Sequence, residues 1–292
     1  MSFAIRAPHQ DEAAEIAELL NEHADAAFGE REIAEAEVRH WFTLPEIWIR
    51  VAERDGRLVG YVDAVRRGRD EAMELDVRTL EREIAEALLQ AAEQHAQTGL
   101  LRVVAQGDDR VLPDLLRDGW RPVRRSYRMR IDLGDDVPEP RWPDGISARP
   151  LQSGEERKIY DANSIAFAED WHFRPWPFEQ WRDDNFRENL DYSLSWVAEA
   201  GDELAGFSLN SWHFSGDPEF GWIGILGVLP EWRRRGIATA LLQQSFREFR
   251  SRGATRVGLG VDSENVTGAV RLYERAGMHV ARLNVTHEKE LS

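Results

Sequence analysis

The same order of local signals runs through this chain twice, which two copies of one fold explain economically, a single large domain with coincidental matches being the alternative. Phe3-Ala-Ile-Arg-Ala-Pro8 resembles Gly145-Ile-Ser-Ala-Arg-Pro150, and each leads into a helical stretch. Each half then carries two alternating apolar runs around a turn. Ile47–Ala52 and Leu58–Val62 flank Asp55-Gly56, while Leu194–Ala198 and Leu204–Leu209 flank Gly201-Asp202. A long helix follows in both, Glu83–Ala96 beside Gly236–Phe249, then a strand, Leu101–Ala105 beside Thr255–Val261. A short helix closes each copy, Leu115–Trp120 beside Tyr273–Met278. Between the copies, Asp132–Gly145 holds three prolines, two glycines and five acids, too many breakers for a regular element. The expected organisation is a domain over 1–133, a linker over 134–145 and a second domain over 146–292. Each domain is mixed α/β, a central sheet flanked by helices. At 292 residues the chain also exceeds the size at which one core usually stops growing.

Composition excludes several classes of function. The formal net charge is -16, and Lys and Arg are spread without a block, so no nucleic-acid partner is expected. A cationic small molecule would be weakly attracted. Cysteine is absent, which removes a disulfide frame, a thiolate metal site and a cysteine nucleophile. No metal site is expected. The first residues lack a basic stretch followed by an apolar run, and no segment nears the ~18 apolar residues of a membrane helix. The expectation is a soluble, cytoplasmic protein with no membrane partner.

Chemistry concentrates in Gly221–Leu242. A buried strand, Trp222–Val228, ends at Pro230, an arginine-rich turn follows, and Gly236 opens a helix with apolar Ile237, Ala240, Leu241 and Leu242. A helix start leaves backbone N–H groups unpaired with the positive dipole end behind them, an anion site. Gly236 lets that backbone approach the anion without a Cβ, and Arg233, Arg234 and Arg235 add charge. Downstream, Asp262-Ser-Glu-Asn265 and Ala269-Val-Arg-Leu-Tyr273-Glu-Arg-Ala-Gly277 complete the pattern.

Arg233-x-x-Gly236-x-Ala238 resembles the [Arg/Gln]-x-x-Gly-x-[Gly/Ala] signature of the GNAT acetyltransferase superfamily, and the downstream segment resembles that family's second block. The resemblance covers nearly all of the second half. It implies acetyl-CoA as co-substrate, held by Leu226, Gly227, Val228, Arg233, Arg234, Arg235, Gly236, Ile237, Ala238 and Thr239. Asn265 matches the residue beside the pantetheine arm and Tyr273 the tyrosine beside the thioester sulfur. The spacing from Asn265 to Tyr273 is one residue longer than the commonest form. The layout is similar to that of two-copy mycothiol synthases, which implies an amino-sugar thiol as one acceptor.

The reaction so implied is attack of an amine on the thioester carbonyl. The Val228 N–H would steady the oxygen. Tyr273, a phenol of ordinary pKa about 10, would protonate the departing thiolate. Trp222–Val228 carries no carboxylate where many family members have their base. Glu219 is the candidate base, with Asp217 and His213 nearby, and an amine arriving deprotonated would need none. The acceptor, a small-molecule or peptide amine, is expected near Asp170–Trp181, whose three tryptophans, two phenylalanines and two prolines do not make a regular amphipathic helix. They form either an aromatic acceptor wall or a packed cap, and Glu169 and Asp170 could attract an amine.

The first half reads as a silent copy. Matching the Ala-Leu-Leu segments puts Glu83 at the place of Gly236, with Glu81 and Glu86 alongside, and three carboxylates repel a pyrophosphate. Matching Gly119 with Gly277 puts Leu115 at the place of Tyr273. Val103 to Gly119 also spans 16 positions against 20 for Val257 to Gly277. The first domain would then stabilise the second or wall its acceptor cleft. Two alternatives stand beside acetyl transfer: a non-catalytic acyl-CoA-binding sensor, and a transferase using another donor such as succinyl-CoA. The oligomeric state is not legible.

Overall fold

The computed structural model describes residues 2–291 apart from 32, 45, 67–71, 107–108, 110, 172, 187–190, 213–216 and 266. The chain forms two units. One contains the chain up to Tyr127 and the segment from Arg282 onward; the other contains most of Arg128 to Ala281.

The first unit begins with β1 (Ala4–Arg6) and α1 (Ala13–Phe28). Ala13, Ile16, Ala17, Leu20 and Ala24 recur at helical spacing and are at most 5% exposed. Gly29, at φ 68, stops the helix by returning its N–H to Asp25 O. After α2 (Glu35–Trp41), β2 (Trp48–Arg54) and β3 (Arg57–Arg66) form a hairpin whose turn residues Asp55 and Gly56 both have positive φ, 51 and 74. Those angles twist the two strands together as a hairpin needs. Next come β4 (Met73–Arg78), α3 (Arg82–Ala96), β5 (Gly99–Gln106), α4 (Leu112–Leu115) and β6 (Arg121–Asp132). The strand order is β1-β2-β3-β4-β5.

The second unit repeats this plan. It has β7 (Ser147–Pro150), α5 (Glu156–Ala166), α6 (Phe178–Asn185), β8 (Trp196–Ala200), β9 (Glu203–Trp212), β10 (Phe220–Val228), α7 (Ile237–Ser251), β11 (Arg256–Asp262), α8 (Ala269–Arg275) and β12 (His279–Leu291). The strand order is β7-β8-β9-β10-β11. Each sheet gains a sixth strand, among the described residues, from the other half of the sequence. Asn284–Leu291 of β12 pairs antiparallel with Gln106–Gly99 of β5 in the first unit. Arg128–Asp132 of β6 belongs to the second unit, where β6 neighbours β11 and the Leu133 N–H reaches Thr255 O at 2.7 Å.

Side-chain detail repeats as well. Arg6 pairs with Glu12 and Glu53 at 2.5 and 2.6 Å, and Arg149 pairs with Glu155 and Glu199 at 2.7 and 2.9 Å. Gly60 leaves room for Ile84 and Leu88 of α3, as Gly206 does for Ile237 and Leu241 of α7. These matches fix the register between α3 and α7.

Two expectations change in detail. Of Leu115–Trp120 only Leu115 is helical, because the chain turns away through Gly119 at φ 79. Gly277, at φ 95, ends α8 in the same way. Within the aromatic segment, Phe178–Asn185 is helical after all. Pro177 caps it, where a missing N–H costs nothing. The linker holds no helix or strand, yet it is fastened along α7. Asp135 pairs with Arg250 at 2.6 Å and Glu139 with Arg247 at 2.8 Å, and Gln243 Oε1 accepts the Arg141 N–H at 3.3 Å.

Candidate active site

β10 and β11 start side by side as parallel strands and then part. Their register pairs are Phe220–Arg256, Gly221–Val257 and Trp222–Gly258, and none follows. At that point β10 bulges against β9 between Ile223 and Ile225. A bulge adds a residue to one strand and bends it away from its neighbour. Gly224 is the added residue, exposed on the strand. The gap opens into a cavity of about 420 Å³ lined by Ile223–Leu226 of β10, Leu259 and Gly260 of β11, Tyr273 of α8, and residues of α5, α6 and their connection. The Leu229 N–H goes to Ala205 O of β9. Successive strand N–H groups face opposite edges, so the Val228 N–H faces the edge that β11 has left.

Past β10 the chain makes a single turn of 3-10 helix, Pro230–Trp232, and then reverses through Arg234 at φ 61 and Gly236 at φ 94. Left-handed residues at these alternate positions fold N–H groups toward one concave side, a geometry that suits anions. The first bond into α7 is Ala240 N–H to Gly236 O, so Ile237, Ala238 and Thr239 form the turn whose N–H groups have no intrahelical acceptor. A Cβ on Gly236 would meet only Pro143 Cγ, at 3.9 Å. Conformation, more than crowding, selects glycine there.

The arginines divide their work. Arg233 donates to Val228 O at 3.2 Å and Ala166 O at 2.8 Å and pairs with Glu169 at 3.1 Å, tying the end of β10 to α5. Arg235 lies over the Trp232 ring and donates to Glu231 O. Arg234 is exposed and makes no ion pair among the described residues.

Tyr273 lines the cavity at 7% exposure, and its hydroxyl has no hydrogen-bond partner among the described residues. Burial first, and then the Asp170 charge, pushes its pKa up to about 12, so the phenol holds its proton. Phe173, Arg174, Pro175, Trp176 and Trp181 line the opposite wall with Tyr160 and Phe167, so the aromatic segment faces this cavity. The Tyr160 hydroxyl donates to Trp176 O at 2.6 Å and holds that wall in place.

The model of the acetyltransferase (GNAT) family matches residues 159–278. A mycothiol acetyltransferase of Salinispora arenicola is 31% identical over 255 residues, 84% of this chain and 82% of its own length. The chain belongs to the GNAT family of N-acetyltransferases. A mycothiol acetyltransferase of Thermobispora bispora is 33% identical over 163 residues, and that match spans only 55% of its length. A crystal structure of a GCN5-related N-acetyltransferase from Sphaerobacter thermophilus superposes with a TM-score of 0.83 at 32% identity, covering 99% of this chain and 96% of that one. A tandem GNAT protein from the clavulanic acid biosynthesis pathway shares the fold over 100% of this chain and 98% of its own, with a TM-score of 0.77 at 16% identity.

Not every residue that the GNAT pattern suggested reaches the cavity. Asn265 does not line it. Its Oδ1 accepts the Thr267 N–H at 2.9 Å and its Nδ2 approaches Asp170 at 3.4 Å, so it shapes the loop before α8. Glu219 lies at the foot of β10, exposed and away from the lining, where its carbonyl accepts the Thr255 and Arg256 N–H groups and its carboxylate meets the Thr255 hydroxyl at 3.2 Å. Asp217 is paired with Arg256. His213 lies outside the described residues. The carboxylate that does line the cavity is Asp184, on the exposed side of α6. Asn163, Asp184 and Asn185 carry no sequence signal, because a single polar residue on an amphipathic helix makes no pattern.

The equivalent place in the first unit is built differently. β3 and β4 pair without a shift from Tyr61–Arg78 to Arg66–Met73, so no bulge interrupts them. α3 starts at Arg82, which puts Glu83 inside the first helical turn, and Glu81, the residue before the helix, is bound to Arg54 at 2.9 Å. Counted back from Gly119 and Gly277, which both turn at positive φ ahead of a long strand, Leu115 holds the sequence position that Tyr273 holds in the second unit. Among the described residues no group of His, Cys, Asp and Glu is placed to hold a metal, and no helix is long and apolar enough to cross a membrane.

Proposed function

We propose that this protein moves the acetyl group of acetyl-CoA to the amine of a small-molecule acceptor, and that the second unit alone does so. The carrying observation is the parting of β10 and β11 into a cavity that has an unpartnered phenol on one side and a helix N-terminus beyond the strand end. The N–H groups of Ile237, Ala238 and Thr239 suit a pyrophosphate. An extended pantetheine arm can bond the free edge of β10 as an added strand would. That route brings the thioester between the Val228 N–H and Tyr273.

The acceptor nitrogen attacks the thioester carbon, and the carbonyl oxygen gains charge that the Val228 N–H is turned to meet. Collapse breaks the carbon–sulfur bond, and Tyr273 donates its proton to the leaving sulfur. Burial raises the pKa of thiol and phenol alike, since either anion loses its hydration there. The surplus proton on nitrogen leaves to solvent, and a proton from solvent restores the Tyr273 phenol. No carboxylate is buried in the cavity, so the amine enters already neutral. The relatives' name makes a mycothiol-related amine, an amino-sugar thiol, the first acceptor to test.

Two measurements test this reading. Calorimetry should find one acetyl-CoA per chain, because the first unit lacks the bulge, the glycine turn and the tyrosine; two equivalent sites would overturn the assignment of one silent unit. CoA-thiol release should rise on adding a primary amine from a panel of D-glucosamine, tyramine, hydroxylamine and a mycothiol precursor. Tight acetyl-CoA binding without amine-dependent release from any of them would favour the sensor over the enzyme.

A further inference from the structure

We propose that Asn163 of α5 positions the acceptor amine, its side-chain Oδ1 accepting an N–H of the neutral nucleophile; this rests on the acetyl-transfer reading above. Asn163 is 7% exposed, lines the cavity, and its side-chain amide has no hydrogen-bond partner among the described residues. Other buried polar side chains of this unit lie inside the core rather than on the cavity. Ser195, Ser208, Ser245 and Asn210 Nδ2 bond to one another and to nearby backbone, while Asn210 Oδ1 has no partner among the described residues. The Asn163 amide is not among the polar atoms sealed in the core without a partner; it opens onto the cavity, where its hydrogen-bonding capacity is left for a bound molecule.

The internal copy gives an independent control. Arg6 and Glu12 correspond to Arg149 and Glu155 through their matching ion pairs, and Ile16 and Ile159 are both 0% exposed. That register places Leu20 opposite Asn163, with Ala17 and Ala24 opposite Tyr160 and Phe167. A buried leucine therefore fits this helix position in the unit without a cofactor apparatus, so folding does not demand the amide. In the second unit the same helix face has gained two aromatic walls and one hydrogen-bonding group.

The chemistry of an amide suits the task. Tyr273, the other buried polar group of the cavity, donates, whereas Asn163 Oδ1 accepts. The remaining titratable or charged groups on the lining are Tyr160 on α5, Arg174 before α6 and Asp184 on α6; Tyr160 is committed to Trp176, and the other two are exposed. A buried carboxylate at this point would hold the amine as an ammonium ion and remove its lone pair. A neutral amide orients the N–H and leaves the lone pair for the thioester.

The test uses the full chain, acetyl-CoA, and whichever of D-glucosamine, tyramine and hydroxylamine wild type turns over fastest. Asn163→Leu, which copies Leu20, should keep acetyl-CoA affinity within about two-fold and keep Tm, because the side chain makes no hydrogen bond to the rest of the fold among the described residues. It should lower kcat/KM for the amine by about ten-fold or more, the worth of one buried hydrogen bond left unmade. Asn163→Asp should move the acidic limb of the kcat profile to higher pH, since the carboxylate favours the ammonium form of the bound amine. Unchanged amine kinetics in Asn163→Leu would overturn the proposal and leave acetyl transfer standing. So would a fall in acetyl-CoA affinity equal to the fall in kcat/KM, which would give the amide to the cofactor. Absence of amine-dependent release in wild type would remove both.

Discussion

Tyr273 shows how one residue's burial sets both its chemistry and its effect on stability. The desolvated phenol stays protonated throughout the neutral range. Tyr273→Phe keeps the ring and removes the donor, so acetyl-CoA affinity should stay within a few-fold while kcat falls by about 10²-fold, the low end of general-acid effects, since a thiolate leaves tolerably unaided. Rapid-mix kinetics with chemistry rate-limiting would check this, and an unchanged kcat would reduce Tyr273 to packing. The same residue predicts an alkaline effect. Its folded pKa of about 12 exceeds the unfolded value of about 10, so its contribution is complete below pH 10 and lost as pH climbs toward 12. Wild type should therefore lose stability relative to Tyr273→Phe across that window, by at most about 3 kcal/mol, read from Tm against pH.

At the scale of elements, the site is made by one bulge and one turn. β10 bulges against β9 at Gly224 where it parts from β11, and the left-handed Gly236 sets the angle at which α7 presents its first N–H groups. Gly236→Glu puts a carboxylate on that turn and a side chain at φ 94. The strain costs about 1–3 kcal/mol, which a well-packed α7 withstands. Like-charge repulsion of the pyrophosphate adds to it, so acetyl-CoA binding should become undetectable by calorimetry while the circular dichroism spectrum is kept. Normal binding by this variant would mean that the phosphate contacts lie elsewhere.

The scale of the whole chain adds a dependence that neither sequence half announces. The C-terminal strand completes the first unit's sheet, where Glu288, 5% exposed, meets Arg102, 7% exposed, at 2.8 Å. Removing one partner of a buried pair strands the other charge, at about 3–5 kcal/mol. Glu288→Ala should fall at the low end, because Glu74 also approaches Arg102, at 3.8 Å. A calorimetric scan should show the loss in Tm, with acetyl-CoA affinity nearly unchanged because the cavity lies wholly in the other unit. An unchanged Tm would mean that the strand is dispensable to that sheet.

Sequence alone determined the features written in neighbouring residues. Asp55-Gly56 announces a hairpin because both positions need positive φ, Gly236 announces the turn before α7 for the same reason, and three prolines without N–H groups keep the linker free of helix and strand. The duplication was legible too, because each copy repeats the same local signals in the same order. Tertiary structure decided whatever depends on which segments meet. Two long C-terminal strands look interchangeable in sequence, since either offers an unpaired edge; that each completes the other half's sheet is a choice of partner among edges of equal chemistry. Glu219 is placed by sequence next to the strand that lines the site, yet four residues along an extended strand span about 13 Å, enough to leave it at the foot of β10. Asn163 is one polar residue on an amphipathic helix until α6, β10 and α8 close around it, and only then is it a buried amide facing a cavity with its hydrogen bonds unmade.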